Sequence, residues 1–498
     1  MDIRHDVRMK RYTAGRNMAR GEAVAVKRRR ASLLFMSLGQ WTGSLMVTMA
    51  LTLLLLPWYM DISLWVGAGL MLACLSLINI GYANRFMQPY PQLAVLISSV
   101  QLILAAWGNW YYPESYKLHN ISSLPEYLSY AGPVCVMFAI GLLLPLRGRW
   151  AYTNQQEKGP VDTTFLIRLK KELHVLFVIG VIATLIESVA PSGLKFIITL
   201  VSRLSFVGAF GFLLMNFKGW KTRIGLLVGW EFISAVYGGS FHELVLWSAA
   251  TILVLAYARR WKPRRIIGIM IVGTLFIVII NSIKQEYRDA IWYGKGSGDE
   301  NRVMLFTSLV LDTLLEPERI LSQDKMSDLM VRMNQGWIVD RAMSWTPKME
   351  AYAHGGTLIR GFTEGILPRA LVSSKGEISG RQDFERFTGL QLIGGTSMSL
   401  GYAGDMYVNF GPLLGPVCIG LYGLLLGTGY RWFLKTALKH PLWWAWAAYF
   451  ATIGVKAETS TGYIINWLLK AIIVMLAVLW FSPSLRKLQA PHLKGGRK

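Results

Sequence analysis

The sequence predicts an all-α polytopic membrane protein of about 12 transmembrane helices with one large extracytoplasmic loop, and three observations predict it. Of the 498 residues, 53% are hydrophobic and 16% charged, a balance too apolar for a soluble multidomain protein. Apolar runs of about 20 residues, the length that crosses a bilayer as a helix, recur along the chain. The formal net charge of +23 is split into short clusters between those runs, whereas a nucleic-acid-binding domain needs it gathered on one face. Membrane lipids are therefore expected partners, and nucleic acid is not.

Residues 1–30 hold ten Lys/Arg and end in KRRR, a basic cytoplasmic N-terminal tail. The apolar run after it, from about Ala31 to Pro57, is too long for a signal-peptide core and has no small-residue cleavage site behind it, so it reads as an uncleaved first span. Spans are expected near 32–56, 62–83, 91–111, 127–145, 172–190, 195–216, 223–239, 241–257, 265–282, 405–427, 442–456 and 462–481. Lys and Arg test this layout separately, because they set orientation while hydropathy sets the spans. Alternate connections are basic, with 6 Lys/Arg in 146–171 and 5 in 258–265, and the short connections between them are nearly free of both. The organisation that results is transmembrane helices 1–9 over 31–282, an outer loop over 283–404, helices 10–12 over 405–481 and a basic cytoplasmic C-terminal tail over 482–498. Both termini are then cytoplasmic in a multi-pass protein.

The loop carries 14 Lys/Arg against 15 Asp/Glu over 282–404. Apolar residues recur at helical spacing in VMLFTSLVLDTLL (303–315) and ILSQDKMSDLMVRM (320–333), which predicts two amphipathic helices. Nine glycines between Gly355 and Gly395, with Pro347 and Pro368, predict turns and irregular chain in the second half. No repeat or low-complexity tract interrupts it, so it reads as a folded cap.

Phosphate-loop, dinucleotide and serine-hydrolase signatures are missing, and His242-Glu243 is not followed by a second His at metal spacing. No metal and no cofactor are expected. Cys74, Cys135 and Cys418 lie in apolar segments as packing residues. The loop does offer cations at membrane height. Lys284 and Arg288 are four residues apart and share a helix face, and Arg341, Arg360, Arg369, Lys375, Arg381 and Arg386 come later. Arginine's planar fork matches phosphate oxygens, and lysine adds a point charge. Such groups serve a lipid-linked diphosphate or only surface ion pairs. At the next helix start, Asp405 with Tyr407 and Asn409 suits handling of a sugar hydroxyl proton; a helix-terminal Asp is equally a plain cap. Charges within predicted helices are costly and often functional. Arg203 either reaches a diphosphate or pairs with Glu231.

Three stretches carry a resemblance to a family: SIKQEYR (282–288), PRALVSSK (368–375) and DMYVNFG (405–411). They are similar to the K-x-x-[YF]-R, P-R-x-L-x-x-x-K and acidic-x-Y-x-N-F-G patterns of the Wzy-type oligosaccharide repeat-unit polymerases, the O-antigen and exopolysaccharide polymerases. The resemblance covers about 140 residues, and Asp405 stands where the family usually has Glu. It implies a fold similar to the GT-C membrane glycosyltransferases and a metal-independent, inverting transfer in the bacterial cytoplasmic (inner) membrane. The substrates it implies are undecaprenyl-diphosphate-linked oligosaccharides, and it brings a chain-length regulator and a flippase as partners. On the matched positions Asp405, Arg288 and Arg369 become the catalytic residues, with Lys284, Lys375, Tyr407 and Asn409 binding substrate; Arg203 and Arg341 join the substrate-binding set as cations, outside the matched motifs. The alternatives are an O-antigen-ligase-like transferase, for which His354 is the loop histidine, and a lipid-linked oligosaccharide flippase, which would place its key residues at midplane in repeated halves.

Overall fold

The computed structural model describes residues 63–83, 87–113, 119–146, 163–187, 189–293, 301–316, 318, 322–366, 380–392 and 398–487. The predicted tail at 1–30, the first span at 32–56, Arg369, Lys375 and 488–498 lie outside the described residues. The chain divides into two compact units, Met1–Gly67 and Ala68–Lys498. Apart from the start of α1 (Leu64–Ala83), every described helix belongs to the second unit.

No strand occurs among the described residues. After α1 come α2 (Tyr90–Tyr111, with a π turn at Val100–Leu104), α3 (Leu124–Leu143), α4 (Thr163–Glu187), α5 (Ser192–Ser202), α6 (Leu204–Leu214), α7 (Trp220–Gly238), α8 (His242–Ala258) and α9 (Pro263–Tyr293). Next are five shorter helices: α10 (Arg302–Leu315), α11 (Gln323–Met333), α12 (Gly336–Trp345), α13 (Gly356–Ile366) and α14 (Arg381–Thr388). The chain then returns through α15 (Gly401–Lys439), α16 (Trp444–Ala451), α17 (Thr461–Phe481) and the short α18 (Pro483–Lys487).

Seven of these segments are long and apolar enough to cross a membrane: α1, α2, α3, α5 with α6, α9, α15 and α17. The protein is thus an all-helical polytopic membrane protein. The expected spans at 172–190, 223–239 and 442–456 are not among the seven. Helix α4 carries Arg168, Lys170, Lys171 and Glu172 in its first half, α7 carries Lys221, Arg223 and Glu231, and α16 has only 8 residues, about 12 Å of helix. Helix α8 is apolar but 17 residues long. The predicted end of the ninth helix at 282 is also moved: α9 runs on to Tyr293, so Lys284 and Arg288 sit on the helix itself.

The polar segment holds the two predicted amphipathic helices, α10 and α11, each started by a side-chain cap. Asn301 accepts from the amide of Val303, and Ser322 accepts from that of Lys325. The described residues of its second half include two helices, α13 and α14. Gly380 and Gly389, both at positive φ, bracket α14, whose Phe384 and Phe387 are fully buried, so these glycines punctuate a helix.

Close backbone approach fixes the central pair of helices. A Cβ at Gly427 of α15 would lie 2.3 Å from the carbonyl oxygen of Leu142, and one at Gly423 would lie 2.8 Å from that of Phe138, both at the α3 face. Lipid gives helices no hydrophobic reason to associate, so small residues that allow such contact supply the packing. Gly208 of α6 meets the backbone of α4 in the same way.

Helix α15 is broken at Gly411, where φ is 72 and ψ is −173, just before Pro412. Proline has no N–H to give to the carbonyl four residues back. That carbonyl, on Val408, instead accepts from the amide of Ala353 at 2.8 Å. A Cβ at Gly411 would come 3.3 Å from the Tyr352 ring. The break therefore ties the polar segment to a membrane helix.

Gly427→Ala is expected to cost about 1–3 kcal/mol through overpacking, while Gly429→Ala, with nothing within 4 Å of its Cβ position, stays neutral or gains up to about 1 kcal/mol. Thermal denaturation in detergent reads the difference, and equal behaviour of the two variants would contradict the packing described.

Candidate functional site

A cavity of ≈ 1130 Å³ is walled by the α5–α6 turn, the start of α8, the far end of α9, α11, the start of α12, the connection 452–460 and the start of α17. It exceeds the roughly 300–1,000 Å³ of a drug-sized pocket, so its dimensions suit a large ligand. Arg203, Lys284, Arg332 and Lys456 line it as cations, Glu243, Asp328 and Glu458 as acids, and Trp247, Trp337, Tyr463 and Trp467 as aromatics.

The cations are not equivalent. Arg203 sits where α5 passes into α6, and its guanidinium forks between Glu231 at 2.6 Å and Glu243 at 2.9 Å, over the Trp247 ring. The pairing with Glu231, one of two roles open from the sequence, is present, and Arg203 still lines the cavity. Arg332 donates to the carbonyl of Asn281 at 2.6 Å and to the Gln285 side chain at 3.3 Å. Both acceptors are neutral, and the charge that opposes it is Asp328, one turn earlier on α11, without a direct ion pair. The Lys284 ammonium makes no hydrogen bond or ion pair among the described residues, and it feels Arg288 and Arg332 as like charges with Glu458 opposite. Burial holds the Lys456 ammonium below the ordinary lysine range, against the pull of Glu243 and Glu458. The wall formed by α9 and α11 thus presents Lys284 and Arg332 with one acid, Asp328, to the cavity. Among the described residues no three His, Cys, Asp or Glu side chains converge as a metal site.

The other sequence-predicted residues are elsewhere. Asp405 is 3% exposed, and its carboxylate accepts from the amide of Thr461, the first residue of α17, at 2.7 Å. It caps a neighbouring helix, where a carboxylate also favours the dipole. Asn409, 1% exposed, accepts from Gly355 at 2.9 Å and donates to the Thr357 hydroxyl at 2.6 Å. Tyr407 is buried, with its hydroxyl 3.3 Å from the Thr346 carbonyl and its ring edge-on to Tyr130. Asn409 and Tyr407 thus anchor the segment 346–357 to α15 and Asp405 joins α15 to α17, and none of the three lines the large cavity. A separate space of ≈ 30 Å³ lies beside Asp405, Arg360 and Asp383, enough for a water or two.

Arg288 donates to the carbonyl of Gly239, past the end of α7, at 2.8 Å, and Arg341 donates to that of Thr388, at the end of α14, at 3.0 Å. Neither lines the large cavity. His354 is exposed, edge-on to Tyr352, and is not on that wall either. Of the predicted set, then, the structure brings Arg203 and Lys284 together. Sequence reasoning did not single out the cavity residues Arg332, Lys456 and Glu458, and it weighed His242 and Glu243 only as a metal motif. The available signal was VKAETSTGY (455–463), a charged break between two apolar runs in an otherwise charge-poor connection.

Compared with protein-family models, curated proteins and solved structures, the chain matches none.

Asp405→Ala leaves the Thr461 amide buried without a partner and is expected to cost about 1–3 kcal/mol of stability. Asp405→Asn keeps an acceptor oxygen and loses less. Thermal denaturation in detergent separates them, and an Asp405→Ala protein as stable as wild type would contradict the capping role.

Proposed function

We propose that the chain is a membrane glycosyltransferase that polymerises oligosaccharide repeat units carried on undecaprenyl diphosphate. The reading places the reaction at the outer face of the cytoplasmic membrane and makes it metal-independent and inverting. One observation carries it: the large cavity puts Lys284 and Arg332, neither in an ion pair among the described residues, beside four aromatic side chains. Cations with spare donors suit a diphosphate, and indole and phenol faces suit the apolar faces of sugar rings. The resemblance of 282–288 and 405–411 to the Wzy-type polymerases gives the same substrate class.

In the proposed reaction a hydroxyl oxygen on the non-reducing sugar of the incoming repeat unit forms a bond to the anomeric carbon of the donor chain. The bond from that carbon to the diphosphate oxygen breaks, its electron pair leaves with the lipid diphosphate, and the hydroxyl proton goes to a base. Charge grows on the diphosphate as the bond breaks, so Lys284 and Arg332 act most strongly in the transition state. Arg203, neutralised by two carboxylates, contributes position more than charge. The single long polar segment and the lack of a sequence repeat favour transfer over export, since transporters build their sites between repeated halves.

The test is reconstitution with lipid-linked repeat units. Wild type should give a ladder of longer lipid-linked glycans that survives added chelator. Lys284→Ala and Arg332→Ala should each slow turnover by about 10²-fold or more, while Arg386→Ala, an exposed residue paired with Glu350, stays near wild type. Flipping of lipid-linked sugar across the membrane with no change of chain length would overturn the reading.

A further inference from the structure

His242 is the first residue of α8 and lines the large cavity with its side chain 49% exposed. Its Nε2 atom lies 2.6 Å from the Lys456 ammonium and 2.9 Å from a Glu243 carboxylate oxygen. A lysine ammonium only donates and an ionised carboxylate only accepts. The contact with Lys456 therefore requires Nε2 to be unprotonated, and the contact with Glu243 requires it to carry a proton. One atom is set between the two partners that suit its two protonation states.

The surroundings hold that atom in place. Glu243 accepts from Arg203 at 2.9 Å and from the Trp247 indole at 3.0 Å, and Arg203 is in turn fixed by Glu231 of α7. Lys456 and Glu458 come from the connection ahead of α17, and Lys284 of α9 and Tyr463 of α17 line the same cavity. Asp405, the carboxylate that the sequence offers as a base, is buried outside it.

We propose that His242 is the group that accepts the proton of the attacking sugar hydroxyl, with Lys456 and Glu243 as the positioning residues for its neutral and protonated states. The proposal rests on the glycosyl-transfer reading. The acceptor hydroxyl displaces Lys456 from Nε2 and gives its proton to that atom as its oxygen bonds to the anomeric carbon. The bond to the diphosphate oxygen breaks and its electron pair leaves with the diphosphate. The imidazolium then donates to Glu243, and Lys456, having lost its acceptor, turns its charge to the departing anion. Proton capture and anion stabilisation are thereby coupled through one histidine nitrogen. Product release returns the proton to water.

The test uses the full chain in liposomes with lipid-linked repeat units, together with direct binding of inorganic pyrophosphate. His242→Gly should lower turnover by about 10²-fold or more, the usual contribution of a positioned base, and bind pyrophosphate as wild type does. Added imidazole should restore at least a tenth of the lost rate in His242→Gly and none in His242→Gln, whose side chain fills the space without accepting a proton. Full activity in His242→Gly, or intact pyrophosphate binding with no rescue, would overturn the proposal. An inactive Glu458→Gln beside an active His242→Gly would also overturn it and move the role to Glu458. A wild-type protein that binds pyrophosphate but never lengthens a glycan would instead overturn the polymerase reading, and this proposal with it.

Discussion

An arginine among apolar helices must be neutralised, and the fork of Arg203 between Glu231 and Glu243 is the interaction on which the site depends. A lone charge there would carry a desolvation penalty of several kcal/mol. Its partners sit on α7 and α8, so the same contact fixes the α5–α6 turn and both helices relative to one another. Removing either acid leaves a buried charge half-satisfied, which is far costlier than losing the whole group. The fork also sets Glu243, which sets His242, which meets Lys456 from the connection before α17. A structural requirement of the membrane interior thus holds the side chains that the proposed chemistry uses.

The facing wall depends on a different constraint. Pro412 cannot satisfy the carbonyl of Val408, and the amide of Ala353 does so in its place. Asn409 and Asp405 extend that junction to Thr357 and to the head of α17. Gly361 of α13 lies so close to Gly462 that a Cβ on it would come 2.4 Å from the Gly462 Cα. The polar segment is consequently fastened to α15 by a backbone carbonyl that would otherwise be unpaired and to α17 by the close Gly361–Gly462 packing, and Tyr463 and Trp467 of α17 reach the cavity from that anchored start.

Membrane class, most of the long spans and the amphipathic α10 and α11 were legible in the sequence, because hydropathy and helical spacing are local properties of the chain. So was the shared face of Lys284 and Arg288, which needs only the period of one helix. Partnerships across the chain were not: Arg332 meets Asn281 from 51 residues away, and Lys456 meets His242 from 214 away. The surroundings of Asp405, Tyr407 and Asn409 were not legible for a related reason. A cluster of polar side chains that anchors a loop and one that handles a sugar hydroxyl use the same residue types, and only the positions of their partners separate the two. The short α16 was overread because an apolar run that is buried by other helices looks the same as one that faces lipid.

Whether the cavity between α9, α11 and α17 holds the diphosphate is decided most directly by a structure of the full chain in a lipid nanodisc with undecaprenyl diphosphate bound. The expected result is the diphosphate in contact with both Lys284 and Arg332, its lipid tail leading into the bilayer. A diphosphate seated beside Arg360 and Asp405, or on Arg341, with the large cavity left to solvent, would contradict it.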